Sequence, residues 1–171
     1  MSVKYYNGTN SVDIAGGITT AQVEALAPEF YQVTKSLSYT NLNTTTAQMY
    51  TDRASANGIY LEDKVQNKWY FQGVVSIHAL GTASTTLDAD AVQVSGFPTG
   101  ATISLVQNDV GVLSDWDNSR SGLFHFRVDN STIIIQVASA SGFYANHELG
   151  MSPIVISMSG TGSIKSYWGI S

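Results

Sequence analysis

Beyond Gly58 the chain alternates apolar and polar residues with the period of two that sends successive side chains to opposite faces of a β-strand. In "KWYFQGVVSIHAL" (68–80), Val75, Ile77 and Ala79 alternate with Ser76 and His78. In "GLFHFRVDN" (122–130), Phe124, Phe126 and Val128 oppose His125 and Arg127. Ile103 and Leu105 are in phase in "ATISLVQ", as are Ile154, Ile156 and Met158 in "SPIVISMSG". "GIYLED", "TTLDADAVQVSG" and "TIIIQVAS" supply further strands. Turns rich in Gly, Pro, Asn and Asp separate them, with no helical pattern between. The expected fold is mainly β, with an antiparallel β-sandwich or jelly-roll head over residues 58–171.

The first 57 residues read differently. Asn7-Gly8 suits the left-handed backbone of a tight turn and lies between Val3–Tyr6 and Ser11–Ile14, so residues 1–17 predict a small hairpin. A lone hairpin is marginal in water and must fold back on the rest of the protein or dock onto something else; its candidate docking side chains are Tyr5, Tyr6, Val12 and Ile14. After Gly16-Gly17, "ITTAQVEALAPEF" predicts a short helix, with Thr19 as N-cap, Gln22 completing a capping box and Pro28 ending it. Ile18 and Val23 stand as a hydrophobic staple, and Val23, Leu26 and Ala27 share a face. Two turns are too short to be stable alone, so that face must pack on its own domain or around a symmetry axis. Residues 30–57, rich in Thr and Asn, read as an irregular linker with some strand. Within them, Thr44–Ala54 is either a short helix or a loop entering a strand. Residues 18–57 thus read as a short helix and a linker. Near the other end, Tyr167-Trp168 must be anchored, in its own domain or against a neighbouring subunit.

Composition narrows the function. The 171 residues suit one domain of ordinary size, and the absence of cysteine removes disulfides, thiolate metal sites and cysteine nucleophiles. A net charge of -5 with scattered Lys and Arg argues against binding nucleic acid through phosphate contacts. No apolar run approaches the ~20 residues of a membrane helix, and no basic-then-apolar leader opens the chain. Only 12% of residues are charged, against about 25% in ordinary soluble domains. Ser, Thr, Asn and Gly take their place, a surface that suits an extracellular or virion protein.

Candidate chemistry is sparse. His78, His125 and His147 lie far apart with no metal-ligand spacing, and no G-x-S-x-G elbow occurs. A triad assembled from distant positions is not readable from spacing. "DWDNSRSG" (115–122) resembles a calcium loop superficially. Its sixth position is Arg120 where the loop needs Gly, and its twelfth is Phe126 where it needs Glu. The same segment sets Trp116 among Asp115, Asp117, Asn118 and Arg120, the composition of a carbohydrate-binding loop. An aromatic ring stacks on a sugar's C–H face while carboxylates and amides take its hydroxyls. As an alternative, Trp116 plugs the end of the sandwich. Asp88 and Asp90 simply follow the strand pleat. No catalytic residue, metal ligand or cofactor is assigned, and a non-enzymatic protein is expected.

The opening "VKYYNGTNSVDIAGG" resembles the N-terminal pattern of bacteriophage fibre and adhesin proteins. "WYFQGVVSIHAL", "VQVSGFPTG", "FHFRVDNSTIIIQVAS" and "GTGSIKSYW" resemble the heads of phage receptor-binding and fibre proteins, which are β-sandwiches and commonly trimeric. The chain lacks the repeats and heptads of a long shaft, so the resemblance implies a short, stubby fibre. It implies a virion protein made in the host cytoplasm, whose hairpin docks on another virion protein of the capsid or of the tail and baseplate. Residues 18–57 then form a neck and residues 58–171 a trimeric head, with Ile18, Val23, Leu26, Tyr167 and Trp168 as oligomer contacts. The head binds the bacterial surface, a saccharide first of all, through Asp115, Trp116, Asp117, Asn118 and Arg120. The alternative is a capsid-attached head fibre or decoration protein with a mainly structural role.

Overall fold

The computed structural model describes residues 4–6, 11–13, 20–42, 49–81, 89–107, 109–115, 121–139 and 148–171. In chain order its elements are β1 (Lys4–Tyr6), β2 (Ser11–Asp13), α1 (Thr20–Leu26), β3 (Glu29–Asn41), β4 (Met49–Asp63), β5 (Lys68–Gly81) and β6 (Ala89–Ser95). There follow β7 (Thr102–Leu105), β8 (Val110–Asp115), β9 (Ser121–Asp129), β10 (Thr132–Ser139), β11 (Glu148–Met151), β12 (Ile154–Thr161) and α2 (Lys165–Trp168). β1 and β2 pair as the expected hairpin, Tyr5 opposite Val12, while the Asn7-Gly8 turn lies outside the described residues.

The other strands form one antiparallel sheet in the order β11-β8-β9-β10-β6-β3-β4-β5-β12-β7, and β11 pairs again with β5. That second pairing closes eight strands into a barrel, with β12 and β7 as a flap on β5. A closed barrel therefore replaces the expected sandwich or jelly roll. The reason lies in strand length. β5, of 14 residues, pairs with β12 along Lys68–Val75 and then with β11 at Ala79 and Leu80. β3 likewise pairs with β4 over Glu29–Leu37 and with β6 over Ser38–Asn41. Strands that change partners midway carry the sheet around the corner and leave no gap between two layers.

The segment expected as a linker forms β3 and the first half of β4, and Gly58, the expected start of the head, lies in the middle of β4. The barrel core is built from the in-phase positions. Val75, Ile77, Ala79, Phe124, Phe126, Ile154, Ile156 and Met158 are buried, together with Tyr60, Trp69 and Phe71. α2 closes one end. Trp168 stacks on Phe71 with ring centroids 5.0 Å apart, Tyr167 meets Trp168 edge-on, and the Tyr167 hydroxyl donates to the Gly96 carbonyl. Gly169, at φ 74°, caps α2 in the left-handed conformation. Glu29 ties this end together, accepting hydrogen bonds from Lys165, Lys64 and the Tyr31 hydroxyl. Those donors, Lys165 foremost, hold its carboxyl down at about 2.

Candidate functional site

The outward faces of β4 and β5 grade from apolar at one end to polar at the other. Their cross-strand pairs run Leu61/Tyr70, Ile59/Gln72, Asn57/Val74, Ser55/Ser76 and Arg53/His78. At the polar end lies a cleft of about 410 Å³, lined by Arg53, Ser55, Ser76, His78, Glu148 and Gly150 among others. It sits in a fork. β5 pairs with β12 as far as Val75 and with β11 from Ala79, and among the described residues Ser76, Ile77 and His78 have no ladder partner on that side. Backbone polar groups in such a gap must find hydrogen bonds elsewhere, from water or a ligand.

A β-bulge builds the cleft's charged corner. Thr51 stands opposite Ala79 and Arg53 opposite His78, so Asp52 is the extra residue of β4. The bulge brings the Asp52 carboxylate within 2.5 Å of His78 Nδ1, while Glu148, at the start of β11, reaches His78 Nε2 at 2.6 Å. A neutral imidazole offers one N–H and one lone pair, and a lone pair facing a carboxylate is repulsive. The two contacts therefore favour the imidazolium form. The carboxylates of Asp52 and then Glu148 push its pKa up, and His78 in turn lowers that of Asp52. Arg53, 3.7 Å from the Asp52 carboxylate, opposes part of the rise in His78.

This clip joins β4, β5 and β11 where the barrel closes with two ladder pairs, Glu148–Leu80 and Leu149–Ala79. His78 has a raised pKa, so its contribution to stability is fully present below the ordinary value of 6.5 and is lost as pH rises through the raised value. Asp52 has a lowered one, so its contribution is present above 3.8 and is lost as pH falls through the lowered value. The seam is strongest between those limits. Melting temperatures taken from pH 6 upward are expected to fall as His78 deprotonates. The His78→Ala variant is expected to melt lower at pH 6 and to lack that part of the fall. Equal slopes for the two proteins would contradict the assignment.

In the imidazolium form the ring has no lone pair to take a proton from Ser76, two residues along the same face. Among the described residues no group of three or more His, Asp or Glu is arranged to hold a metal ion, and no helix is long and apolar enough to cross a membrane.

Of the residues singled out in the sequence, Asp115 ends β8 with its backbone opposite Leu149, the neighbour of Glu148. Trp116, Asp117, Asn118 and Arg120 lie outside the described residues, as do Ile14, Ile18, Thr19 and His147. Tyr5, Tyr6 and Val12 lie in the hairpin ladder. Val23 and Leu26 are exposed on α1, at 56% and 57%. Trp168 is buried in its own chain and Tyr167 is half-buried against that core. Asp90, as a strand-surface residue, accepts a bidentate pair from Arg127 at 2.8 Å. Sequence reading missed the Asp52–His78–Glu148 clip. Its members are 26 and 70 residues apart, and only the fold brings them together.

Comparison with protein-family models, curated proteins and solved structures returned no match.

Proposed function

We propose that this protein is a short bacteriophage fibre, carried on the virion, whose β head binds saccharide on the bacterial surface without chemical change to it. The sequence resemblance supports the virion role. The observation that carries the binding role is the forked cleft, where hydroxyls of Ser55 and Ser76, the Arg53 guanidinium and a carboxylate-held imidazolium converge beside unpaired β5 backbone. Sugar hydroxyls both donate and accept, and such a mixed set of fixed polar groups matches them. Asp115, the first residue of the "DWDNSR" segment, pairs at the same seam with the residue after Glu148. Its Trp116 supplies the aromatic platform in this reading.

A bacterial glycan array tests it. The protein is expected to bind a restricted set of surface saccharides, and Arg53→Ala and Trp116→Ala are each expected to weaken binding by roughly tenfold or more, as loss of an interface anchor does. Binding to no glycan, or binding indifferent to both substitutions in folded protein, would leave the decoration role in its place.

A further inference from the structure

The Asp52 bulge lies where β4 also loses its other neighbour. β3 pairs with β4 as far as Leu37 opposite Ala54, then turns to β6 from Ser38 opposite Ser95. Among the described residues, Thr51, Asp52 and Arg53 therefore have no backbone partner in β3. The bulged residue is itself left out of the ladder with β5. Its two soft dihedrals, which set where its side chain points, need some other restraint.

Two side chains of β3 reach back across the opening. The Asn41 amide brackets Thr51, with Oδ1 accepting from the Thr51 N–H at 2.9 Å and Nδ2 donating to the Thr51 carbonyl at 3.2 Å. These are the two bonds that a neighbouring strand's backbone would exchange. The Tyr39 hydroxyl donates to the Asp52 carbonyl oxygen at 2.7 Å. The Thr51 carbonyl belongs to the peptide before Asp52, and the Asp52 carbonyl to the peptide after it. Both planes that flank the Asp52 Cα are thus pinned, which fixes the direction of its Cβ. Tyr39 and Asn41 continue the phase of the buried Val33 and Leu37. Purely apolar residues there would serve packing and leave the bulge unheld.

We propose that Tyr39 and Asn41 are positioning residues of the cleft, holding the bulge so that the Asp52 carboxylate meets His78 Nδ1. The consequence for a bound ligand rests on the saccharide reading, and the consequence for His78 does not. Among the described residues, Asp52 and Arg53 of β4 and Glu148 of β11 are the charged groups that act on the imidazole. A change in the aim of Asp52 is therefore read in the titration of that ring.

The test follows the His78 ring by nuclear magnetic resonance in the full chain while pH is varied, in wild type and in Tyr39→Phe. The substitution keeps the aromatic ring at a position 37% exposed, so the backbone spectrum away from the bulge is expected to be unchanged. His78 is expected to titrate closer to its ordinary 6.5 in the variant, and in Asn41→Leu as well. In an Asp52→Asn background Tyr39→Phe is expected to add no further change, because it acts through that carboxylate. An unmoved His78 in either folded variant, or an equal change with and without Asp52, overturns the proposal. On the glycan array Tyr39→Phe is expected to weaken binding by roughly twofold to tenfold, the effect of one lost hydrogen bond. A moved His78 in a protein that binds no saccharide keeps the positioning role and removes the saccharide reading. Saccharide binding with His78 unmoved does the reverse.

Discussion

Phe71→Ala is expected to destabilise the protein by about 3–5 kcal/mol, the cost of removing a fully buried aromatic ring and leaving its cavity. Phe71 is 1% exposed and stacks on Trp168 with the rings 17° apart. It thus links the barrel wall to α2. The loss should extend to that helix, because Trp168 would lose the ring it lies on and α2 is only four residues long. Urea denaturation followed by tryptophan fluorescence measures the effect. A loss below about 1 kcal/mol would mean that the site collapses around the missing ring.

Gly73→Ala is the opposite perturbation at the same place. Gly58 and Gly73 face each other across β4 and β5 beneath the Phe71 ring. A Cβ on Gly73 would stand 2.3 Å from the Asn57 carbonyl oxygen and 2.6 Å from Phe71 Cζ. Overpacking of this kind costs about 1–3 kcal/mol, and more where backbone must move. Because the nearest atom is backbone, Phe71→Ala in the same chain should relieve only part of the strain. Denaturation of the two single variants and the double variant separates the contributions. Full relief in the double variant would place the whole clash on the ring, and the strands would then not be held at this separation.

The pattern that made most of the barrel legible was strict alternation. At 75–79, 124–128 and 154–158 the in-phase residues are those that line the core, and the turn at Asn130 follows from "DNST", with Asn130 at φ 53°. β3 was hidden because its alternation is blurred. Lys35 falls in phase with the buried Val33 and Leu37, its ammonium lying 5.0 Å from the centre of the Tyr167 ring, while Phe30 points outward. β11 is four residues long with Leu149 as its buried residue, too short to show a period. Barrel closure depends on Glu148 and Leu149 finding Leu80 and Ala79, a pairing that no local pattern encodes. The cleft was illegible for the same reason. The bulge at Asp52 carries no Gly or Pro to announce it, and His78 looks in sequence like any outward strand residue. What sequence did mark was the "DWDNSR" segment, and Asp115 starts it from the seam beside that cleft.

The saccharide cleft is tested most directly by a nuclear magnetic resonance titration of the isotope-labelled protein with a saccharide bound on the array. Amide shifts are expected to concentrate at Arg53, Ser55, Ser76 to His78 and Glu148 to Gly150, with Phe30, Ile59 and Tyr70 at the apolar end of the face unmoved. Shifts centred on Phe30, Ile59 and Tyr70, or none at the fork, would contradict binding in the cleft.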